Sequence, residues 1–216
     1  MIADNIKKIQ AELPDHVTLV AVTKYHSIEE TKAVIDAGVI DLGESRVQDF
    51  LKKHEVLGNE PRWHFIGHLQ KNKVKYLIGK TFLIHSVDSL ALLDIIDKES
   101  KKKEVITSVL LQLNLAREES KSGFLEEELK DVLTAIPKYK NIKVQGLMGM
   151  GPLSQNNDKI RNIFVELKKI YDRIKEESHS SIIQMDYLSM GMTDDYRIAI
   201  EEGSNMIRIG RKIFSS

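Results

Sequence analysis

Cysteine is missing from this chain of 216 residues. Its absence excludes disulfide bonds, zinc sites built on thiolates and cysteine nucleophiles. Proline is scarce, with 4 residues, and no charge of either sign predominates, because 32 basic residues balance 32 acidic ones. A net charge of zero gives no electrostatic reason to expect nucleic acid or an anionic membrane as the main partner.

Long apolar runs are also missing. No stretch reaches the roughly 18 apolar residues that a membrane-spanning helix needs. The first residues place Ile2, Ile6, Ile9 and Leu13 at helical spacing, which differs from the continuous apolar core of a signal peptide. Together with the lack of cysteine, this predicts a cytoplasmic protein. The composition, 42% hydrophobic and 30% charged, is that of a globular domain, and we expect residues 1–216 to form one domain.

Short apolar runs alternate with longer amphipathic ones along the whole chain. This alternation indicates parallel strands joined by right-handed helical crossovers. Eight strands in a chain of this length favour an α/β fold, a single (β/α)8 barrel of the TIM type with an extra N-terminal helix. An open doubly wound sheet is the alternative, although the turn after the first strand reads TKYHS and lacks the glycine-rich dinucleotide motif. The predicted strands are 17–23, 39–43, 63–67, 82–87, 105–114, 144–150, 185–190 and 206–210, and the predicted helices lie near 27–37, 44–57, 70–78, 88–102, 124–136, 156–178 and 193–202.

Capping residues mark the ends of several predicted helices. Ser27 and Glu30 form the S-x-x-E pattern of a capping box. Asp88 and Thr193 stand where N-cap residues are expected. The glycines placed for left-handed C-caps are Gly38, Gly79 and Gly203.

The first strand ends on a lysine, in the segment HVTLVAVTKYHSIEE (16–30). Burying an unpaired charge is costly, so Lys24 reaches solvent, holds a partner or reacts. Active sites of barrels form where the strands end, and alternation puts Lys24 on the same face of its strand as Val20. Arg208 shares a face with Met206 in the last strand, which neighbours the first in a closed barrel. If both faces point inward, a lysine and an arginine approach the same opening.

The loops after strands 7 and 8 are the usual phosphate site of a TIM barrel, and here they read SMGMT and GRK. Ser189 and Thr193 offer hydroxyl groups, while Gly191 and Gly210 permit close approach of the backbone. A helix beginning near Thr193 would present free N–H groups and the positive end of its dipole. Each feature alone also fits a simple turn or cap. Their joint placement near Lys24 favours a ligand.

A ligand that joins a phosphate to a lysine has a recognisable chemistry. Lysine forms Schiff bases with carbonyl compounds, and pyridoxal 5′-phosphate carries an aldehyde, a phosphate and a ring nitrogen that needs a partner. Arg208 fits the third role. Because an arginine stays protonated, it would keep the ring nitrogen unprotonated and make the ring a weaker electron sink.

These residues also resemble those of a known family, the pyridoxal phosphate homeostasis proteins. That family is related to the barrel domain of alanine racemase, which is the type III fold of pyridoxal phosphate proteins. The resemblance extends from about residue 17 to residue 214, and the combination of blocks is specific although no single block is. The blocks are AVTK (21–24), GESRVQD (43–49), WHFIGHLQKNK (63–73), EESKSGF (118–124), GLM (146–148), LSMGMTDD (188–195) and IRIGRKIF (207–214).

The resemblance implies a role for each residue of the predicted site. It implies that Lys24 carries the internal Schiff base, that Arg208 lies near the ring nitrogen, and that the phosphate is held by Ser189, Gly210 and the backbone of Arg211. Met192 could line the cofactor face. The full predicted cofactor-binding set is Lys24, Ser189, Gly191, Met192, Thr193, Arg208, Gly210 and Arg211, with no catalytic residue and no metal ligand.

Three positions depart from the family pattern. Ser45 stands where the family has asparagine, which shortens a polar contact near the cofactor. Thr193 replaces a serine, a mild change. Arg211 replaces a threonine, which removes a hydroxyl from the phosphate loop and adds a cation.

Catalysis is not expected from this chain alone. A racemase needs an acid and a base on opposite faces of the substrate carbon, and alanine racemase takes its second base, a tyrosine, from another domain of the partner subunit. Tyr25 lies closest to Lys24, but packing is its expected role. The first hypothesis is a binding protein for intracellular pyridoxal phosphate homeostasis, monomeric, with recipient apo-enzymes as candidate partners. Two alternatives stay open: a racemase-like enzyme of small amino acids, and a cofactor-free Schiff-base or phosphosugar-binding barrel.

Metal binding is not predicted. His64 and His68 are four residues apart, but they lie at a strand end rather than on one helix face. Asp194 and Asp195 are expected to charge the first turn of a helix.

Overall fold

Apolar runs rich in valine, leucine and isoleucine form strands that are buried on both faces, as a parallel sheet covered by helices requires. The computed structural model describes residues 1–118, 121–178 and 180–215. Eight parallel strands follow one another around a closed barrel, and the first strand pairs with both the second and the eighth. The predicted closed barrel is confirmed. Its strands are β1 (Thr18–Val22), β2 (Asp41–Glu44), β3 (Arg62–Phe65), β4 (Leu83–Val87), β5 (Thr107–Gln112), β6 (Ile142–Met148), β7 (Ile183–Ser189) and β8 (Met206–Ile209).

Helices connect most of the strands and cover the barrel. They are α1 (Ile2–Glu12), α2 (Ile28–Asp36), α3 (Val47–Leu57), α4 (Leu90–Lys102), α5 (Leu129–Ala135), α6 (Asn157–Glu177), α7 (Tyr196–Glu201) and α8 (Arg211–Phe214). The first of them, α1, is the predicted extra helix ahead of β1. No helix among the described residues is long and apolar enough to cross a membrane.

The connection between β3 and β4 differs from its prediction. The segment near 70–78 was expected to be a helix, and it folds as a 3₁₀ helix over Lys71–Tyr76. Only Val74 of this short segment is buried. With one anchoring side chain there is little packing to stabilise a longer α-helix, and the tighter 3₁₀ form is common in such short connections.

Caps are confirmed at some helix ends and wrong at two others. The Ser27 hydroxyl accepts the Glu30 N–H at 3.1 Å, and the Glu30 carboxylate accepts the Ser27 N–H at 2.8 Å. Helix α4 is capped by Ser89 rather than by Asp88, and α7 begins after Asp195 rather than at Thr193. The predicted C-terminal glycines all adopt positive φ: 92° at Gly38, 77° at Gly79 and 95° at Gly203.

The buried apolar side chains form two separate clusters. The larger one packs between the strands and the surrounding helices, and the smaller one lies inside the barrel. Val20 is paired in register with Arg208, so β1 and β8 send these residues to the same side. The predicted inward faces of β1 and β8 are therefore confirmed for these positions. The interior cluster consists of Val20, Leu83, Leu110, Met148 and Met206.

Helix α1 is fixed to the end of the chain. Ile6 and Ile9 are buried, and the Asn5 amide donates to the Ile213 carbonyl oxygen at 3.1 Å. Glu12, the last residue of α1, accepts hydrogen bonds from the Tyr196 hydroxyl and from Arg197 of α7. These contacts close the outer helical layer beside β1 and β8.

Candidate functional site

A tight turn carries Lys24 at the C-terminal end of β1. The His26 N–H donates to the Thr23 carbonyl oxygen at 3.1 Å, which places Lys24 and Tyr25 at the centre of the turn. Tyr25 has φ of 70°, a conformation that glycine adopts easily and that strains other residues. Lys24 is exposed to solvent, with Nζ 5.8 Å from the centre of the Tyr25 ring. The lysine therefore stands on a defined, strained turn at the open end of the barrel.

A buried ion pair holds this turn from behind. Lys53 of α3 places Nζ 2.6 Å from Glu44 Oε1 and donates to the Thr23 carbonyl oxygen, also at 2.6 Å. The Thr23 hydroxyl donates to the same carboxylate oxygen at 2.6 Å. Glu44 Oε2 is buried and has no hydrogen-bond partner among the described residues. The residue before Lys24 is thus fixed through both its side chain and its backbone.

Arg208 is a buried cation at the end of β8. It is 4% exposed, and burial lowers the pKa of its guanidinium to about 10. Nη1 donates to the Ser189 hydroxyl at 2.5 Å and Nη2 to the Gly149 carbonyl oxygen at 3.0 Å. Within the described part of the chain no carboxylate oxygen lies within 4.0 Å of it. The guanidinium has further N–H groups and no carboxylate in direct contact, although the charge of Asp195 acts on it from a greater distance. This arrangement suits a polar or anionic ligand.

The loop after β7 folds differently from its sequence prediction. The Tyr196 N–H, at the start of α7, donates to the Met192 carbonyl oxygen at 2.8 Å, so the helix end does not offer this group to a ligand. The Met192 N–H is also engaged, because it donates to Asp195 Oδ1 at 2.6 Å. Burial raises the pKa of Asp195, although the hydrogen bond from the Met192 N–H acts to lower it. The N–H groups of Gly191, Thr193 and Asp194 bond to no other described residue and are the donors left in the loop.

Two glycines allow the loops after β7 and β8 to pack closely. Gly191 has φ of 95°, and a Cβ atom there would lie 2.6 Å from the Ala199 Cβ of α7. A Cβ atom on Gly210 would lie 3.2 Å from the carbonyl oxygen of Val22 in β1. The backbone of β8 therefore passes close to β1 just before the turn that carries Lys24.

Arg211 joins the two loops. Its guanidinium donates to the Asp194 carboxylate, and both side chains are more than three-quarters exposed. The cation that departs from the family pattern is thus paired with an acid of the neighbouring loop. An exposed pair of this kind adds little stability, but it draws the loops after β7 and β8 together.

Ser189 lies deeper than its sequence prediction implied. The residue is completely buried, and its hydroxyl contacts Arg208 Nη1 and His85 Nδ1, the latter at 2.9 Å. A serine hydroxyl has one proton to donate. Because the side chain is occupied inside the barrel, its position fits support of Arg208 rather than a contact with a phosphate in the loop.

Two histidines inside the barrel were missed as members of the site. His85 of β4 and His64 of β3 are both buried, and His85 Nε2 lies 2.9 Å from His64 Nδ1. Their only sequence signal is that each is a polar residue within an apolar strand. His68 lies apart from them and is largely exposed near Asp88. Among the described residues no group of three or more metal-ligating side chains is present.

The structure thus brings Lys24, Arg208 and the loops after β7 and β8 to one end of the barrel. Of the sequence blocks that carried the resemblance, the one over 118–124 includes Glu119 and Ser120, which lie outside the described residues. The family model described as alanine racemase, N-terminal domain, matches residues 1–215. The chain belongs to this family.

Curated relatives narrow the assignment within the family. A protein of Synechocystis named pyridoxal phosphate homeostasis protein is 41% identical over 209 residues, covering 96% of this chain and 94% of the relative. A protein of Aquifex aeolicus with the same name is 41% identical over 187 residues, covering 86% of this chain and 81% of the relative. The resemblance to the homeostasis proteins is confirmed.

Solved structures agree with the barrel. PipY of Synechococcus elongatus PCC7942, solved with PLP bound, has a TM-score of 0.92 at 28% identity, and the match covers 100% of both chains. Alanine racemase of E. faecalis has a TM-score of 0.74 at 16% identity, with 100% of this chain and 57% of that chain covered. The second match shows a shared fold only.

Proposed function

We infer that this chain binds pyridoxal 5′-phosphate through Lys24 and serves intracellular pyridoxal phosphate homeostasis, with little or no catalysis. The observation that carries the proposal is the buried Arg208, which has no carboxylate within 4.0 Å among the described residues and lies at the same end of the barrel as the exposed Lys24. A cation without a carboxylate partner is stable in such a place when a ligand supplies the acceptor. The names of the relatives and the PLP-bound state of PipY support this choice of ligand.

Each part of the site has a task toward this cofactor. The aldehyde of pyridoxal phosphate supplies a carbon to which a lysine amine can bond covalently. Lys24 is exposed and attached to a turn fixed by Lys53 and Glu44, so its amine is accessible while its backbone is held. Arg208 offers N–H groups and a positive charge to the ring nitrogen.

The phosphate is assigned to backbone donors. In this proposal the N–H groups of Thr193 and Arg211 bind the phosphate oxygens, and Gly191 and Gly210 provide the close approach. Met192 borders this loop, is 39% exposed and offers a thioether side chain to the cofactor. Ser189 acts through Arg208 instead of through the phosphate.

The proposal includes the lack of a second acid–base group beside Lys24 among the residues that the structure describes. Tyr25 is the tyrosine next to Lys24, yet it is 73% exposed and lies with the Arg46 guanidinium 5.0 Å from its ring centre. An exposed side chain in this position does not exclude water from a reacting carbon. We propose that the protein holds and releases the cofactor with little catalysis. We also propose that it does so in the cytoplasm as a monomer, with recipient apo-enzymes as its partners.

The absorbance spectrum before and after borohydride reduction tests this function. We expect a visible band with pyridoxal phosphate that borohydride removes in the native protein, and no such band in the Lys24→Ala variant. Exchange of the α-deuteron of alanine at useful turnover would instead establish a racemase-like enzyme. A protein that stays colourless, but that borohydride traps with a sugar phosphate, would support the cofactor-free alternative.

A further inference from the structure

A line of polar side chains crosses the interior of the barrel beside its small apolar cluster. Buried polar groups are tolerated when each finds a hydrogen-bond partner, and fully satisfied networks give a rigid, single arrangement. Here both ring nitrogens of His64 and both of His85 are engaged. The line consists of Asp41, His64, His85, Ser189 and Arg208, and each of these residues is 6% exposed or less.

Its contacts are continuous from one end of the barrel to the other. Arg62, at the start of β3, donates to Asp41 Oδ2 at 2.5 Å. Asp41 Oδ1 lies 2.8 Å from His64 Nε2, and the two histidines are 2.9 Å apart. His85 then contacts Ser189, which contacts the guanidinium of Arg208.

The charge state of Asp41 sets the direction of the first two bonds. Burial opposes ionisation of Asp41, but hydrogen bonds from His64 and Arg62 bring its pKa below the usual range. A carboxylate only accepts, so His64 Nε2 carries a proton and donates. Burial also lowers the pKa of His64, despite its bond to Asp41. A neutral His64 leaves Nδ1 as an acceptor, and His85 Nε2 donates to it.

The remaining bonds follow from a neutral His85. Burial, with added effects of His64 and Arg208, lowers the pKa of His85 well below its ordinary value. Since Nε2 holds the single ring proton, Nδ1 accepts the proton of the Ser189 hydroxyl. The lone pairs of that oxygen then face Arg208. All the hydrogen bonds therefore run in one direction, from Arg208 to Asp41.

We propose that His85 and His64 are positioning residues that fix the orientation of Arg208 toward the cofactor. A serine hydroxyl alone can rotate and turn its proton toward the guanidinium, which breaks the contact. His85 removes this alternative because it accepts the proton, and His64 holds the tautomer of His85 that can accept. The inference rests on the proposed function, in which Arg208 contacts the ring nitrogen.

The first test needs no cofactor. Long-range ¹H–¹⁵N correlation spectra of the cofactor-free protein report which ring nitrogen of each histidine carries the proton. We expect His64 and His85 both to be neutral and protonated on Nε2 at pH 7. Protonation of either ring on Nδ1 would overturn the one-way chain.

The second test separates positioning from packing. His85→Leu removes the acceptor of Ser189, whereas His85→Asn keeps a carboxamide oxygen near the position of Nδ1. Leu110→Val is the control, because Leu110 is a buried member of the interior cluster outside the polar line. Cofactor release is followed by absorbance, together with the pH at which the spectrum of the bound cofactor changes.

Release from His85→Leu is expected to be about tenfold faster than from the native protein, since a hydrogen bond to a charged group is weakened. The pH midpoint for loss of the Schiff-base proton is expected to fall, because a ring nitrogen that Arg208 no longer faces gains a proton, and this added positive charge makes the Schiff-base nitrogen more acidic. His85→Asn should restore both quantities, and Leu110→Val should leave the midpoint unchanged.

The outcomes distinguish this inference from the proposed function. A native protein without a borohydride-sensitive band contradicts the function itself. If the native protein shows that band but His85→Leu has the same release rate and midpoint as the native protein, only the positioning role is contradicted. Equal midpoint shifts in His85→Leu and Leu110→Val would show that loosened packing is sufficient, which also contradicts it.

Discussion

Lys53 and Glu44 form an ion pair sealed behind the turn that carries Lys24, with side chains 6% and 0% exposed and 2.6 Å between Nζ and Oε1. The pair joins α3 to the end of β2, and Lys53 also holds the backbone of Thr23. A buried ion pair of this kind is rarely a source of net stability. Its position indicates instead that it determines where the neighbouring lysine stands.

Removing one member of this pair should be costly. Lys53→Met leaves the Glu44 carboxylate buried without its cation, and we expect the free energy of unfolding to fall by about 3–5 kcal/mol. The double variant with Glu44→Leu should lose less than the sum of the two single variants, because no unpaired charge remains. Urea unfolding of all three variants measures this, and strict additivity would contradict the coupling.

We expect that lysine cannot replace Arg208 without loss of cofactor affinity. Arg208→Lys keeps the charge but loses the planar group that reaches Ser189 and Gly149 together, so we expect cofactor affinity to fall by about tenfold or more. Arg211→Lys is the matched control, since the Arg211 side chain pairs with exposed Asp194 and its proposed phosphate contact is through the backbone N–H, so affinity should change by less than about threefold. Titration by absorbance compares them, and equal losses would remove the special role of Arg208.

Gly191 should be the more sensitive of two glycines with positive φ. Gly191→Ala would bring a Cβ atom to 2.6 Å from the Ala199 Cβ and displace the loop after β7. Gly38→Ala has a similar φ, but nothing lies within 4 Å of its added Cβ atom. We expect a loss of about 1 kcal/mol for Gly38→Ala from backbone strain alone, and a larger loss for Gly191→Ala from strain and overlap. Thermal unfolding distinguishes them, and a smaller loss at Gly191 would contradict the packing argument.

Glu12 should contribute stability that depends on pH. Hydrogen bonds from Tyr196 and Arg197 lower its pKa from 4.5 to about 2. A carboxylate whose pKa is lowered in the folded state stabilises above pH 4.5, and this contribution disappears as the pH falls toward 2. Glu12→Gln should therefore be less stable than the native protein at pH 7, and the difference should shrink at pH 2.5. A stability difference between Glu12→Gln and the native protein that does not change with pH would contradict this role of Glu12.

Elements of the fold were predictable where a local pattern determines them. Each of the eight strands overlaps its predicted apolar run, and the capping box at Ser27 forms as expected. The start of α7 was not predictable in this way, although threonine is a common N-cap residue and Thr193 stands near the helix start. In the structure the Met192 carbonyl oxygen accepts the N–H groups of Asp195 and Tyr196, and the Asp195 carboxylate accepts the Met192 N–H. Such a choice between neighbouring polar residues depends on packing of the loop.

The sequence predicted the site residues near the ends of the strands but not the hydrogen bonds between side chains inside the barrel. Alternation placed Val20 and Arg208 on the same side of the paired strands, and the register confirms it, because strand parity needs only neighbouring residues. The approach of Lys24 to Arg208 stays a prediction. The contact of His85 with Ser189 joins positions 104 residues apart, so no local spacing reports it. For the same reason Ser189 was assigned to the phosphate, although its partners lie within the barrel.

The central claim is that Lys24 bonds covalently to pyridoxal phosphate. The most direct measurement is mass spectrometry of peptides after incubation with pyridoxal phosphate and borohydride reduction, with Lys24→Ala treated in parallel. The account predicts a single reduced pyridoxyl-phosphate adduct on Lys24 in the native protein, and none at that site in the variant. An unmodified Lys24, or an adduct on another lysine in both proteins, would contradict it.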